Sequence, residues 1–434
     1  MTISSSLNAG VAGLAANATR LGTISDNIAN SSTKGYKRVE TDFTAMVMEG
    51  NGGTYTAAGV RTTTQRLIDE SGALVATNNA TDLAVRGQGF LPVAQTAEVL
   101  AGNGDPQMFL TTTGSFRVDA EGYLTTDSGL MLLGWKANAD GSIPTNARDT
   151  ADSLEPVQIA LNQYLSEPTT TMTMGLNLPA TETYAGASGD TLTLPVEYYD
   201  NLGRSETLTM TFSPTVPATG SSNEWNVVIT DSASGGAIVG EYSVTFDNTQ
   251  ASGGTLDTVA VGATGGAYDA VSGTVIVTAA GGPIEINIGR PGTNDGLTQR
   301  SDAFAPLNIG KDGSPAGNMT SVEIDENVFV YAFFDTGITS IIYQVPLVDV
   351  PNPNGMVALD KQVYMPSPES GSYFLWDAGD GPTGEVVSLA REESTTDVAS
   401  ELTDMIQTQR AYSSNAKVIQ TVDEMLQETT NIKR

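Results

Sequence analysis

The first 28 residues carry apolar side chains at intervals of three and four, which is the repeat of one face of an α-helix. These positions are Ile3, Leu7, Val11, Leu14, Ala18, Leu21, Ile24 and Ile28. A similar face, interrupted by Gln409 and Asp423, runs through residues 398–434 at Val398, Leu402, Met405, Ile406, Tyr412, Ala416, Ile419, Met425 and Leu426. The pattern predicts one long amphipathic helix at each end of the chain.

Both predicted helices need partners, because the apolar face of an amphipathic helix is stabilised mainly by tertiary packing. The first contains Gly10, Gly13 and Gly22, each of which costs up to about 1 kcal/mol relative to alanine in a helix interior. Small residues also let a second helix approach closely. Two arrangements are open: each helix packs on the core of its own domain, or the two pair with each other and with copies from other subunits.

Between the helices the pattern alternates with a period of two, which predicts β-strands. Residues 191–199 and 206–212 form one predicted hairpin, and 273–278 and 283–288 form another. A meander is predicted from Val322–Ile324, Val328–Phe334 and Thr339–Val345. Gly, Asn, Asp, Ser and Thr crowd the connections, as is typical of turns.

Composition excludes several kinds of chemistry. The 434 residues include no Cys and no His, so Cys/His zinc sites, disulfides, thiol nucleophiles and Ser-His-Asp triads are impossible. We find no motif for a catalytic centre, a metal site or a cofactor. No stretch approaches the roughly 20 apolar residues that span a bilayer, so membrane insertion is not expected. The N-terminus also lacks the charged and apolar regions of a cleavable secretory signal.

Charge is concentrated in the middle of the chain. Residues 1–70 carry six basic and six acidic side chains, residues 71–389 carry nine and 36, and residues 390–434 carry five and eight. The net charge of −30 argues against binding to nucleic acid or to anionic membranes. One alternative function is an extracellular β-rich carbohydrate-binding protein with Trp225, Tyr242 and Trp376 as a sugar platform. The favoured interpretation is that these aromatic residues fill β-domain cores.

The segment after the first helix, residues 25–37, reads S-D-N-I-A-N-S-S-T-K-G-Y-K. It resembles the signature N-N-(I/L)-A-N-x-x-T-x-G-(F/Y)-K of the flagellar rod and hook protein family, with Asp26 at the first Asn. The matching residues are Asn27, Asn30, Thr33, Gly35, Tyr36 and Lys37. Physically, Asn30 is a candidate helix cap and Gly35 a candidate for positive φ.

Two further regions support this resemblance. Residues 82–90, 109–124 and 133–135 are similar to the first inner β domain of the family, although Thr112 stands where the family often has arginine. Residues 401–419 are similar to its closing helix. Within the family, rod proteins are much shorter, junction proteins are usually longer, and flagellin lacks the Thr-x-Gly-Tyr-Lys motif. The length therefore favours the hook branch, with a rod or junction protein as the alternative.

The resemblance implies an α+β multidomain fold in which the terminal helices form a coiled-coil inner domain and two mainly antiparallel β domains are nested between them. The expected regions are 1–28 with 398–434 (helical), 29–70 with 371–397 (connecting), 71–150 with 300–370 (inner β) and 151–299 (outer inserted β).

The implied function is structural and not enzymatic, with no cofactor. The resemblance implies export through the flagellar type III apparatus and self-assembly outside the cell into a curved tube that transmits torque. The implied partners are further copies of the chain, the rod and hook–filament junction proteins, the hook cap and the export apparatus. Subunit contacts are expected at Leu7, Val11, Leu14, Leu21, Ile28, Leu402, Met405, Ile406, Tyr412, Ile419 and Leu426.

Overall fold

The ends of the chain fold as the two long helices that the apolar pattern predicts. Helix α1 spans Ile3–Ala29, a short helix α2 spans Thr96–Ala101, and α3 spans Val398–Ile432. The computed structural model describes residues 3–46, 59–102, 106–138, 141–159 and 164–432. The last two residues of the predicted C-terminal helix, 433 and 434, lie outside the described residues.

The region between α1 and α3 is built from strands, joined by turns and by short 3-10 helices at Ala180–Thr183, Pro353–Gly355 and Asp360–Gln362. The strands are β1 (Val39–Ala45), β2 (Val60–Arg66), β3 (Leu74–Ala76), β4 (Asp82–Arg86), β5 (Leu91–Gln95), β6 (Phe109–Thr111), β7 (Thr113–Val118), β8 (Leu124–Thr126), β9 (Leu130–Lys136), β10 (Glu155–Pro156), β11 (Tyr164–Glu167), β12 (Thr171–Leu178), β13 (Leu192–Tyr199), β14 (Ser205–Pro214), β15 (Glu224–Asp231), β16 (Ala237–Phe246), β17 (Leu256–Val261), β18 (Thr274–Ala279), β19 (Gly282–Asn287), β20 (Leu297–Gln299), β21 (Ala305–Lys311), β22 (Ser314–Ile324), β23 (Phe329–Phe334), β24 (Thr339–Gln344), β25 (Leu347–Asp349), β26 (Val357–Leu359), β27 (Val363–Met365), β28 (Phe374–Trp376), β29 (Glu385–Ser388) and β30 (Ala390–Glu392).

The described residues form two compact units. The first lies within Met1–Leu161, Val322–Ala332 and Thr339–Arg434, and the second within Asn162–Ser321 and Phe333–Ile338. The combination of paired terminal helices with β-rich regions confirms the predicted α+β class. The finer division into four regions stays a prediction.

The first unit contains α1, α3 and a β body, by which we mean strands β3–β10 and β24–β30. In the β body, β5 pairs with β6 and β9, and β4 pairs with β7 and β29, all antiparallel. Its core contains fully buried Leu83, Leu91, Leu110, Phe116 and Trp135. Strands β1 and β2 form a separate hairpin, and α1 packs against it.

The second unit contains the predicted hairpins. Strands β13–β17 form an antiparallel sheet in chain order, and β18 pairs with β19. The expected pairing is mainly antiparallel, and β12 is the exception, because it pairs parallel to both β19 and β20. Strand β21 pairs antiparallel with β12, whereas the sequence placed residues 300–370 in the inner domain. Backbone pairing with β12 therefore assigns residues 305–311 to the same sheet as the inserted strands.

The sugar platform considered above is wrong for two of its three aromatic residues. Trp225 and Tyr242 lie in the hydrophobic core of the second unit, as the core interpretation predicts. Trp376 is half-buried and packs against Phe374, with 5.0 Å between ring centroids.

Asp231 is a fully buried carboxylate in the second unit. Its Oδ1 accepts hydrogen bonds from the hydroxyl of Tyr198 at 2.7 Å and from the backbone of Ala233 at 3.0 Å. Its Oδ2 accepts from the hydroxyl of Ser234 at 2.6 Å and from the backbone of Ala280 at 3.0 Å. Burial alone would raise the pKa of Asp231, but these donors outweigh it and lower the pKa below the ordinary value.

Replacing Asp231 by alanine is expected to lower the free energy of unfolding of the second unit by about 2–4 kcal/mol, because it leaves several buried donors unpaired. Since the pKa is lowered by folding, this stabilisation is present above about pH 4 and is lost as the pH falls further. Urea denaturation at neutral and acidic pH measures both effects. Asp295→Ala, which removes an exposed ion pair with Arg290, is the control and should change stability little. Equal losses from both substitutions would contradict this account.

Candidate functional site: the terminal helix pair

Helices α1 and α3 pack against each other in antiparallel orientation, and we call them the helix pair. The start of α1 lies beside the distal part of α3, where a Cβ built on Gly10 would lie 3.2 Å from Cγ1 of Ile419. The end of α1 lies beside the start of α3, where Nδ2 of Asn27 donates to Oε1 of Glu401 at 3.1 Å. Of the two arrangements left open by the sequence, the helices therefore pair with each other.

Small and polar residues form much of the contact between the helices. A Cβ on Gly13 would lie 2.8 Å from Nδ2 of Asn415, so a side chain at this position would have to displace the amide of Asn415. The buried positions of the helix pair are Ser5, Gly10, Gly13, Ala16, Asn17, Ile24 and Asn27 in α1, and Glu401, Thr408 and Val422 in α3. The contact is thus rich in glycine, alanine and hydrogen-bonding side chains.

The apolar face predicted for assembly is only partly covered within one chain. Val11, Leu402 and Ile406 are exposed by 52%, 47% and 52%. Of the other residues expected at subunit contacts, Tyr412 and Leu426 are exposed, and Leu7, Leu14, Leu21, Ile28, Met405 and Ile419 are half-buried. The pairing within the chain therefore leaves much of this face outward.

Gly13 and Gly22 offer a matched test of the close approach, because no atom lies within 4 Å of a Cβ built on Gly22. We expect Gly13→Leu to speed amide hydrogen exchange along α1 by roughly tenfold or more, since overpacking typically costs 1–3 kcal/mol. Gly22→Leu should slow exchange, because leucine favours helix more than glycine does. Similar protection in both variants would show that the helices do not meet at Gly13.

The motif after α1 folds as a compact turn. Nδ2 of Asn30 donates back to the carbonyl and carboxylate of Asp26 at 2.9 and 3.0 Å, and its Oδ1 accepts from Thr33 at 3.2 Å. Gly35 has a φ of 71°, and a Cβ there would lie 2.8 Å from Thr113. The expectations of a capping Asn30 and a positive φ at Gly35 are confirmed.

Asn27 and Tyr36 hold this turn against the end of α1. The side-chain amide of Asn27 pairs with the backbone of Val39. Its Oδ1 accepts from the N–H of Val39 at 2.9 Å, and its Nδ2 donates to the carbonyl of Val39 at 2.8 Å. The hydroxyl of Tyr36 lies 3.0 Å from Oδ2 of Asp26 and 3.1 Å from Oδ1 of Asn27. Burial raises the pKa of Tyr36 to about 12, and the hydrogen bond to Asp26 acts in the same direction. The hydroxyl therefore remains a donor at neutral pH.

Lys37 forms a buried ion pair with the C-terminal part of the chain. Its Nζ lies 2.7 Å from Oε1 of Glu392, and both side chains are almost completely buried. Nζ also donates to the carbonyl of Glu70 at 2.6 Å. The second carboxylate oxygen of Glu392 accepts from the hydroxyl of Thr112. At the position where the family often has arginine, this chain thus places a hydrogen bond on a buried carboxylate.

Arg38 forms the second ion pair between the two ends of the chain. Its Nε donates to Oε1 of Glu401 at 2.6 Å, and Glu401 is only 1% exposed. Glu401 lies in the first turn of α3, where a negative charge interacts favourably with the helix dipole. We call Lys37, Arg38, Glu392 and Glu401 the charge clamp.

Comparison with known families matches the two segments that contain Lys37, Glu392 and Glu401 of the charge clamp. A model described as flagella basal body rod protein matches residues 7–37, and one described as flagellar basal body rod FlgEFG protein C-terminal matches residues 389–432. A third, flagellar basal body protein FlaE D2 domain, matches residues 177–314.

Full-length relatives decide the family. The flagellar hook protein FlgE of Brucella suis biovar 1 is 33% identical over 442 residues, and that of Rhizobium meliloti is 33% identical over 438 residues. Both alignments cover 100% of each chain. This chain belongs to the flagellar hook protein family. A crystal structure of Helicobacter pylori flagellar hook protein FlgE2 covers 74% of this chain and 99% of that chain, with 14% identity and a TM-score of 0.45.

For this hook-family chain, the motif singled out Lys37 alone among the residues of the charge clamp, and Arg38, Glu392 and Glu401 were not predicted. Lys37 belongs to the motif, whereas Glu392 and Glu401 carry no local sign of burial in the sequence. An acidic residue one turn into a predicted helix is an ordinary solvated position.

Two classes of site find no support in the residues described for this hook-family chain. No helix among them is both long and apolar enough to span a membrane. No group of three or more acidic side chains in the described ranges is arranged to hold a metal ion.

Proposed function

We propose that this chain is the structural subunit of the flagellar hook and that it polymerises through its terminal helices into a curved tube. The tube transmits torque from the rod to the filament. The observation that carries the proposal is the outward apolar face that remains after α1 and α3 have paired.

On α3 this face includes Val398, Leu402 and Ile406, which follow one another at intervals of four residues and are all exposed. On α1 it includes Val11 together with half-buried Leu7 and Leu14. A neighbouring copy that covers these side chains removes apolar surface from water, which contributes about 25 cal/mol per Å². Fully burying one leucine contributes roughly 1.5–3 kcal/mol, so a few such residues per contact are enough to drive assembly.

The acidic charge of the middle of the chain is compatible with a position on the outside of the proposed tube. Its net negative charge keeps contacts between neighbouring copies polar and weak there. Weak outer contacts can slide as a curved tube rotates, while apolar inner contacts stay closed. In this arrangement 1–28 and 398–434 form the inner tube, and the β regions project from it.

The remaining partners follow from this position. The tube joins rod proteins at one end and junction proteins at the other, and subunits are added beneath a hook cap. The chain reaches the growing end outside the cell through the flagellar type III export apparatus. Its full-length similarity to hook proteins supports a role in the hook over a role in the rod or at the junction.

Electron microscopy of the purified full chain under polymerising conditions tests the proposal. We expect curved tubes with a regular subunit repeat. Expression in a motile bacterium that lacks its own hook subunit tests the position of the protein along the flagellum. We expect hooks between rod and filament. Folded chain that never polymerises, or that is found only in the rod or at the junction, would overturn the proposal.

A further inference from the structure

The two ion pairs of the charge clamp start from adjacent residues but lead to different parts of the first unit. Residues 36–38 precede β1 without helical structure, and successive side chains of an extended chain point to opposite sides. Lys37 reaches Glu392 in β30, which belongs to the β body. Arg38 reaches Glu401 in α3, which belongs to the helix pair.

The chain crosses between the helix pair and the β body once at each end, and the two crossings are bonded to each other. The N–H of Gly35 donates to the carbonyl of Glu392 at 2.9 Å, and the N–H of Thr395 donates to the carbonyl of Tyr36 at 3.0 Å. The N–H of Arg38 donates to the hydroxyl of Thr395 at 2.8 Å. Residues 35–38 and 392–395 are therefore hydrogen-bonded to each other, and together they form one strap and not two independent linkers.

Both attachments of this strap are made by buried charges. Lys37, Glu392 and Glu401 are each 1% exposed, so the charges lie where water screens them little. Each acid also binds a second element: Glu392 accepts from the backbone of Gly72 at 2.7 Å, and Glu401 accepts from Asn27 of α1 at 3.1 Å. A single attachment permits rotation about itself, whereas two separated attachments on opposite sides of the strap do not.

We propose that the charge clamp is a rigid joint that fixes the angle between the helix pair and the β body, so that torque on the helices passes to the β body through Lys37–Glu392 and Arg38–Glu401. The inference rests on the proposed hook function. It assigns a positioning role to Arg38 and Glu401, which touch no other copy in this account.

The test compares paired neutral substitutions, because replacing both partners of an ion pair leaves no unpaired buried charge. Arg38→Met with Glu401→Gln removes one half of the clamp and keeps an acceptor for Asn27. Arg20→Met with Asp404→Asn is the matched control, since this 3.5 Å pair joins α1 to α3 and does not reach the β body. Lys37→Met with Glu392→Gln removes the other half.

The chain has no Cys, so Gln407→Cys in α3 and Asp127→Cys in the β body can be spin-labelled selectively. Both side chains are exposed. Double electron–electron resonance then reports the distance between them in polymers that contain an excess of unlabelled chain. Electron microscopy before labelling shows whether polymer forms, which separates failure of the proposed function from failure of the joint.

We expect one narrow distance distribution in the parent and in the Arg20/Asp404 control, and a distribution at least about twofold wider in either clamp variant. Near-ultraviolet circular dichroism should show that the β body stays folded in each. A broad distribution in the parent polymer overturns the proposal. So does an unchanged width in any clamp variant that folds.

Discussion

Replacing Lys37 by methionine is expected to lower the free energy of unfolding of the first unit by about 3–5 kcal/mol, which is the usual cost of breaking a buried ion pair on one side. Glu392 would keep its hydrogen bonds from Gly72 and Thr112. It would nevertheless lose the only cation within ion-pair distance among the residues described. Chemical denaturation followed by tryptophan fluorescence measures the change, because Trp135 lies in the core of the same unit.

The neighbouring pair Lys34–Glu393 provides the control for this prediction. Its atoms are 2.9 Å apart, close to the 2.7 Å of Lys37–Glu392, but its side chains are 34% and 46% exposed. Lys34→Met should therefore change stability by no more than about 1 kcal/mol. If the two substitutions cost the same, burial does not set the strength of these contacts. A Lys37→Met, Glu392→Gln double variant, which removes both charges and keeps a polar acceptor beside Gly72 and Thr112, should recover part of the loss.

Replacing Leu402 by aspartate should strongly impair polymerisation without unfolding either unit. Leu402 is 47% exposed in the single chain, so the substitution creates no buried charge there. In a polymer it would remove an apolar contact and place an unpaired carboxylate in an apolar interface. We expect a loss of about 3 kcal/mol per contact, which raises the critical concentration for assembly by roughly 100-fold. Sedimentation of polymer across a concentration series measures this shift.

Gln407→Asp is the matched control, because Gln407 is an exposed polar position five residues further along α3. It adds the same charge to the same helix but removes no apolar side chain. Polymerisation close to that of the parent is expected. The role assigned to the outward face fails if Leu402→Asp assembles normally, or if Gln407→Asp blocks assembly equally well.

The sequence predicted the parts of the fold that depend on local repeats. The spacing of three and four gave α1 and α3 to within a few residues, and alternation gave the hairpins β13–β14 and β18–β19. Gly35 was predictable because a motif turn needs a residue that tolerates positive φ. Each of these features is decided by neighbours along the chain.

Contacts between distant segments were not predictable in the same way. The sequence named Gly13 as a residue that lets a second helix approach, but it gave no sign that Asn17 and Thr408 would be buried in the same contact. Strand β21 joins β12 across more than a hundred residues, and no local pattern records that choice of neighbour. Glu392 and Glu401 look like surface acids until Lys37 and Arg38 are placed beside them.

The separation between the inward and outward faces of the helices has an evolutionary consequence. Glycine, alanine and asparagine hold α1 to α3, while a different set of positions remains available to neighbours. Substitutions at Val11, Leu402 or Ile406 can therefore accumulate without disturbing the way that one chain folds on itself. Gene duplicates that begin with the same helix pair can diverge in which neighbour they accept.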